Sequence, residues 1–249
     1  MKQRQAVEFD RPIYLRESGE DDSVIQFGKP PEHVKEDHEN GVSRFGGLWR
    51  EPDYVQTYLR ASSILVAESR ERNDLDNLGL PIFYLQRHTI ELFLKSLLSH
   101  LYDIAKMKHE IYCTSEPQDC LPTKEQEERL AGKYKGHDLC LFWADFSSAS
   151  NKLGFGDPPN ELGNLIKDIS AYENIHHTWS RYSSHAERKT GVLISHSKSE
   201  VAIPVVDIQN RIEKVIGGIE YKMGSDPKSY ATILYDEWKS LSDRLEDLG

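Results

Sequence analysis

Two residues of the stretch RYSSH, Arg181 and His185, have the side-chain types needed to cleave a phosphodiester without a metal. They stand four positions apart, so in a helical backbone both side chains would emerge on one face and reach one phosphate. In RNA cleavage the ribose 2′-hydroxyl attacks the adjacent phosphorus. A histidine then moves the proton, and an arginine stabilises the charge that develops on the phosphoryl oxygens. The pair therefore predicts a catalytic site, with a chance pairing on the surface as the alternative.

Residues around this pair are suited to binding RNA. Arg188, Lys189 and Lys198 supply positive charge for phosphates, and the rings of Trp179 and Tyr182 are able to stack on exposed bases. The whole chain has a formal net charge of -10, which argues against a protein that coats duplex nucleic acid through its bulk charge. A local basic patch is compatible with this composition.

A zinc site is the main alternative chemistry. Its candidate ligands are His109, Cys113, Cys120, His137 and Cys140. Their spacing matches no common zinc module, and Cys140 falls beside the apolar face of a predicted helix, where a free cysteine usually behaves as a small hydrophobe. The adjacent His176 and His177 would point in different directions from a helix. We therefore expect no metal and no other cofactor, and the chain has neither a glycine-rich phosphate loop nor a serine-hydrolase or zinc-protease motif.

Residues 81–108 are predicted to form the central helix that positions these groups. Apolar residues recur there at helical spacing, namely Phe83, Ile90, Leu94, Leu97, Leu101 and Ile104, and further apolar residues widen that face until the helix reads as mostly buried. Arg87, Glu91 and Lys95 stand four positions apart within it, so they can pair along one side. A charge that faces a core needs such a partner, because its desolvation alone is costly.

The rest of the pattern predicts a mainly α fold, a helical bundle with small β additions. Helices are expected over residues 54–72, around EQEER, after GHD, after PPN, and in two C-terminal segments, the last of them capped by Asp226 and Pro227. A β-hairpin is expected near residues 191–205, where GVLIS and VAIPV flank a His-Ser-Lys-Ser turn. Residues 1–50 hold short β-leaning runs and an irregular connection. We therefore expect an N-terminal extension over 1–50 and a helical domain over 51–249.

Composition favours a cytoplasmic protein. Hydrophobic residues make up 38% and charged residues 29%, and the three cysteines are an odd, widely spaced set that does not read as a disulfide framework. The longest apolar run, residues 90–98, is interrupted by Glu91 and Lys95 and falls short of the roughly 20 residues that span a bilayer. The N-terminus has no apolar signal core. We expect no membrane association.

Three stretches taken together resemble the HEPN superfamily of small helical domains. The central YLQRHTIELFLKSLL resembles a helix of that family, and GHDLCLFW resembles its tHdLeeL segment. WSRYSSH falls where the family places an Arg-Tyr followed by its catalytic region. The order and separation of the three stretches agree as well, and the similarity covers roughly residues 50 to 225.

This resemblance implies a HEPN-like helical bundle that forms a homodimer and, in many members, a metal-independent ribonuclease acting as a toxin or in defence against phage. In that case Arg181 would bind the scissile phosphate and His185 would act as general acid or base, with two copies composing a basic cleft. Arg87, Glu91 and Tyr182 would support the site. For Glu91 three roles stay open: structural pairing with Arg87, orientation of Arg181, or direct catalysis.

The alternative is a non-catalytic HEPN-like module. Other members of the superfamily lack the catalytic motif and act as partners, including companions of nucleotidyltransferases. The family motif has four to six residues between its Arg and His, often with Asn, Asp or His after the Arg. This chain has three residues between Arg181 and His185, and Tyr182 follows the arginine. Such a module would dimerise or hold a protein partner, for example an antitoxin or a nucleotidyltransferase, through its helices or hairpins.

Overall fold

The computed structural model describes residues 35, 38–41, 43, 53–112, 120–133, 135–173, 184–187, 190–195, 200–220 and 228–248, with only the backbone for 184–186 and 195. The chain divides into two compact units, 1–53 and 54–249. In the first unit, Lys35, His38 and Glu39 are helical, and an exposed ion pair joins Lys35 to Glu39 at 3.9 Å. The β-leaning runs predicted for the N-terminal extension lie outside the described residues.

The second unit is mainly helical, as predicted. Its described residues form seven helices and two short strands: α1 Tyr54–Glu71, α2 Leu75–Tyr112, α3 Lys124–Leu130, α4 Leu139–Lys152, α5 Asn160–Ala171, β1 Ser184–Ala186, β2 Leu193–Ser195, α6 Val205–Ile219 and α7 Tyr230–Glu246. No helix among these is long and apolar enough to cross a membrane.

The central helix is α2, which contacts α1, α3, α4, α6 and α7. It has 38 residues and is therefore about 57 Å long. All six residues of its predicted apolar face are buried. The helix begins earlier than predicted, at Leu75, and includes Pro81 within its second turn. The preceding turn is tight because Asn73 has a positive φ of 54° and the Asp74 N–H donates to the Ser69 carbonyl at 2.8 Å.

Side-chain caps set the starts of several helices. Asp138 caps α4 by accepting the Leu141 N–H at 3.1 Å, which confirms GHD as a helix start. The cap predicted for the last helix is wrong. Its N-cap is Ser229, whose Oγ accepts the Thr232 N–H at 3.3 Å. The same hydroxyl donates to the Glu220 carbonyl at the end of α6, so this serine links two helix ends. Asp226 and Pro227 themselves lie outside the described residues.

A small β-hairpin is present, but the pairing predicted within 191–205 is wrong. β2 belongs to the GVLIS stretch as expected, yet it pairs antiparallel with β1 on its N-terminal side, with Ala186 opposite Leu193. The turn between them is built by Gly191, which has φ +69° and donates its N–H to the Glu187 carbonyl at 2.8 Å. Residues 200–204 have no regular structure, and Pro204, which lacks an N–H, serves as the N-cap of α6.

Candidate functional site

Arg87 is the centre of a buried ionic cluster, which we name the Arg87 cluster: Arg87, Glu91, Lys95, His137 and Glu173. The Arg87 side chain is 3% exposed, and all three of its nitrogens donate. Nη1 donates to Oε2 of Glu91 at 2.6 Å, Nε donates to the Glu173 carboxylate, and Nη2 donates to the backbone carbonyl of His137. One planar guanidinium therefore joins α2 to the loop before α4 and to Glu173, which lies just beyond the end of α5.

Glu91 is the ionised partner at the core of the cluster. Its side chain is 1% exposed, and Oε1 accepts from Lys95 Nζ at 2.8 Å and lies 2.9 Å from His137 Nδ1. Burial alone would raise the pKa of this carboxyl, but the hydrogen bonds and charges of Lys95 and Arg87 lower it to about 2. An ionised carboxylate only accepts, so the proton of the short contact belongs to His137 Nδ1.

Glu173 differs from Glu91 although both carboxylates pair with Arg87. Burial raises the pKa of Glu173, and the nearby Asp138 and Glu91 carboxylates add to that rise, so Arg87 only partly offsets it. The pKa of Arg87 is also raised, because Glu173 and Glu91 together outweigh the burial of the guanidinium. The guanidinium therefore stays charged, and Glu91 is the carboxylate that holds its negative charge most firmly.

Local sequence explains how each member reaches the cluster. Arg87, Glu91 and Lys95 follow one another at four-residue spacing on α2. The His137 loop is tight: a Cβ on Gly136 would lie 2.4 Å from Cα of Gly132, so glycine alone fits there. Beyond the end of α5, the Tyr172 ring meets the Phe83 ring edge-on with centroids 5.8 Å apart, and this contact brings the following Glu173 to Arg87.

The cluster reaches solvent through His137. Its side chain is 44% exposed, against 21% for Lys95 and 10% for Glu173. Lys95 also lies over the Phe142 ring, with Nζ 5.2 Å from the centroid, so α4 covers its stem. The arrangement is an oriented imidazole at the edge of a buried ionic cluster.

The structure brings together two of the predicted supporting residues. Arg87 and Glu91 form the predicted ion pair, and Lys95 joins it. Five predicted site residues lie outside the described residues: Arg181, Tyr182, Arg188, Lys189 and Lys198. The backbone of His185 lies in β1 opposite Ile194, and its side chain is outside the described part. The helical backbone on which the four-residue spacing depended is therefore not present at His185.

The candidate zinc ligands do not assemble within the described part of the chain. No group of three or more His, Cys, Asp or Glu side chains is placed there to hold a metal ion. Cys120 Sγ lies 3.6 Å from the Lys152 carbonyl, and Cys140 is exposed. Cys113 and the His176-His177 pair lie outside the described residues.

Glu173 is a member of the cluster that the motifs did not indicate. A signal was present, because Leu162, Ile166 and Ile169 follow helical spacing and Glu173 stands four positions after Ile169. A carboxylate at the next position of an apolar face requires a buried partner. The apolar face of α5 therefore indicates that Glu173 forms an ion pair, but it does not identify the partner residue.

Comparison of the chain with protein-family models, with curated proteins and with solved structures finds no match.

Proposed function

We propose that this protein is a HEPN-like, metal-independent endoribonuclease in which Arg181 binds the scissile phosphate and His185 transfers a proton. One observation supports the proposal: Arg87 joins two of the three stretches that resemble the superfamily and also binds a residue that precedes the third stretch in the sequence. Arg87 belongs to the first stretch, and its Nη2 binds the carbonyl of His137 in the second. Its Nε binds Glu173, which precedes the third stretch.

The Arg87 cluster anchors the approach to the proposed catalytic segment. Glu173 is bound by Arg87 and lies eight positions before Arg181 in the sequence. β1 begins at Ser184, three positions after Arg181. The proposed catalytic segment therefore follows, along the chain, a residue that the Arg87 cluster holds. A catalytic arginine needs such attachment, because misplacement by about 1 Å can cost two orders of magnitude in rate.

The proposed reaction is transesterification. The 2′-hydroxyl oxygen bonds to phosphorus, the bond from phosphorus to the 5′-oxygen breaks, and the products are a 2′,3′-cyclic phosphate and a 5′-hydroxyl. Arg181 stabilises the negative charge on the non-bridging oxygens, while Arg188, Lys189 and Lys198 bind the flanking phosphates. With a net charge of -10, one subunit offers little positive charge, so two copies would compose the basic cleft of a homodimer. Such an activity fits a toxin or a phage-defence effector.

Cleavage of RNA in EDTA tests the proposal. The wild-type protein is expected to cut single-stranded RNA and to leave 2′,3′-cyclic phosphate ends, whereas His185→Ala and Arg181→Ala lose at least about 100-fold in rate. Asp145→Asn is the matched control, because it disturbs the buried Arg129–Asp145 ion pair between α3 and α4 and leaves the Arg87 cluster intact. Wild-type protein that leaves RNA uncut, or His185→Ala that cuts as well as wild type, contradicts the proposal.

A second candidate is a non-catalytic module that binds a second copy of the chain through its hairpin. Val192 and Leu193 are 59% and 73% exposed beside the turn, where large apolar side chains are usual in an interface. Sedimentation at several concentrations tests this function. A dimer that dissociates on Leu193→Asp, together with RNA left intact by the wild type, would favour the module over the enzyme.

A further inference from the structure

A groove of about 550 Å³ lies between α4 and α5, and the proposed RNA cleavage does not use it. We propose that this groove binds a free nucleoside monophosphate, with the base against the indole of Trp143 and the phosphate on Lys167. This binding site is independent of the proposed ribonuclease function, because it includes no residue of the proposed catalytic segment.

The size of the groove suits one small ligand. Pockets that hold small molecules in proteins usually measure about 300 to 1,000 Å³. The wall on α5 extends from Asn160 to Ala171, which is about 16 Å along the helix axis. Its lining residues recur every three or four positions, so they lie on one face of the helix. These dimensions match a ligand of the size of a mononucleotide.

The indole of Trp143 forms the wall on α4. Its side chain is partly exposed, and a Cβ on Gly163 would lie 2.6 Å from its Cζ2. Glycine at that position therefore allows the indole to lie directly against α5. A partly exposed indole that borders a groove offers an aromatic surface, on which any nucleobase can stack. We therefore assign the base to this wall.

The polar groups on α5 lack partners in the described part of the chain. Asn160 and Asn164 are exposed one turn apart, and neither carboxamide forms a hydrogen bond there. A carboxamide both donates and accepts, as the edge of a nucleobase does. Toward the other end of the groove, Oγ of Ser170 is buried and has no partner among the described residues. Buried hydroxyls are normally hydrogen-bonded, and a ribose hydroxyl or a phosphate oxygen would supply the missing partner.

Charge favours an anion of low total charge in this groove. Lys167 lines it, and no carboxylate is among the described residues that do so. Asp168 follows Lys167, but Arg211 of α6 binds its carboxylate at 2.6 Å and compensates its charge. A strand of nucleic acid needs several cations along its phosphates, and this chain has a net charge of -10. One lysine is enough for the single phosphate of a free mononucleotide.

Isothermal titration calorimetry with AMP, GMP, CMP and UMP tests the proposal. We expect at least one of them to bind wild type with a Kd below about 1 mM, and Lys167→Gln to weaken this binding at least about tenfold. The matching nucleoside lacks the phosphate, so it should bind both proteins equally weakly. Inorganic phosphate cannot contact the indole and should also bind more weakly than the nucleotide. Lys214→Gln is the matched control, because it removes one exposed lysine from α6, away from the groove.

Cys140 provides a second readout, because it is exposed and lines the groove. The bound nucleotide should slow the alkylation of Cys140 by iodoacetamide and leave Cys120 unaffected, as followed by mass spectrometry. Thermal unfolding of Lys167→Gln near that of the wild type excludes misfolding as the cause of weaker binding.

Several results would overturn the assignment: no binding of any of the four nucleotides, equal affinity of wild type and Lys167→Gln, phosphate that binds as tightly as the nucleotide, or Cys140 that is not protected. A 2′-O-methyl hexanucleotide cannot be cleaved by attack of the 2′-oxygen. Tighter binding of that strand than of every mononucleotide, lost in Lys167→Gln, would assign the groove to a nucleic-acid strand instead of a free nucleotide.

Discussion

The carboxylate of Glu91 and the imidazole of His137 meet at 2.9 Å although 46 positions separate them in the chain. One group is fully buried on the central helix and the other is partly exposed on a loop. The His137 side chain is partly exposed, and the carboxylate that it contacts belongs to a core ionic cluster in which each of the three guanidinium nitrogens donates a hydrogen bond. We expect the cluster to affect both the stability of the fold and the proposed RNA cleavage, and amino-acid substitutions can separate these two effects.

Glu91→Gln is expected to destabilise the fold strongly. The change leaves Arg87 and Lys95 facing a neutral amide in a buried site, which typically costs about 3 to 5 kcal/mol. Urea denaturation at pH 7 measures this loss, with Asp145→Asn as a comparison at a second buried ion pair. A Glu91→Gln protein as stable as wild type would mean that the cluster contributes little to the free energy of unfolding.

The pH dependence of wild-type stability should reveal the same carboxylate. The pKa of Glu91 is lowered from 4.5 to about 2, so its contribution is fully present above pH 4.5 and is lost as the pH falls toward 2. A shift of that size corresponds to about 3 kcal/mol. Denaturation curves between pH 6 and pH 2 should therefore lose stability faster for wild type than for Glu91→Gln. Parallel curves would contradict the assignment.

The contribution of Glu173 to stability should depend on pH in the opposite direction to that of Glu91, and Glu173→Gln tests this. The pKa of Glu173 is raised, so the protonated carboxyl is the form that the fold prefers, and the contribution is lost as the pH rises through that raised pKa. A neutral amide can still accept from Arg87 Nε, while Glu91 remains as the counter-ion of the guanidinium. We expect a change below about 1 kcal/mol at pH 7, measured by urea denaturation. A loss as large as that of Glu91→Gln would show that the ion pair outweighs burial.

Gly136→Ala tests whether the His137 loop must be as tight as it is. The new Cβ would lie 2.4 Å from the backbone of Gly132, a distance that no rotamer relieves. The loop must shift, and the carbonyl of His137 would then move from Arg87 Nη2. We expect a loss of about 1 to 3 kcal/mol, together with slower RNA cleavage. Gly79→Ala is the control, because it meets nothing within 4 Å.

Gly163→Ala tests the packing of α5 on α4. A Cβ there would lie 2.6 Å from Cζ2 of Trp143, so the indole must move from its place, and we expect a loss of about 1 to 3 kcal/mol. Gly217→Ala on α6 is the matched control. It meets nothing within 4 Å and should stabilise by up to about 1 kcal/mol through helix propensity. Thermal melts of both proteins check the contrast, and equal melting temperatures would refute it.

Periodicity predicted the helices and the pairing within one helix. The apolar face of α2 is buried as expected, and Arg87, Glu91 and Lys95 pair because four-residue spacing sets their contacts locally. The contacts with His137 and Glu173 depend instead on how three elements pack, and no local pattern in the sequence encodes that packing. The apolar spacing of α5 extends to Glu173, a signal that the sequence analysis did not use, and that spacing does not identify the cation that this carboxylate meets.

The predicted fold is wrong at two places where a second residue close by in the sequence favours a different local structure. VAIPV has the composition of a strand, but Pro204 offers no N–H to a ladder and begins α6 instead. β2 pairs instead with β1, which precedes it in the sequence, across a turn that contains Gly191. Asp226 and Pro227 have the composition of a cap, yet Ser229 lies closer to the first apolar turn of α7 and binds its backbone.

The sequence separation between Arg87 and its partners also determines when the Arg87 cluster can form during synthesis. These partners lie 50 and 86 positions downstream, so the guanidinium stays incompletely satisfied until the ribosome has added Glu173. A nascent or truncated chain that ends before Glu173 has Glu91 but lacks the second carboxylate. The Arg87 cluster is therefore complete only after Glu173 has been synthesised.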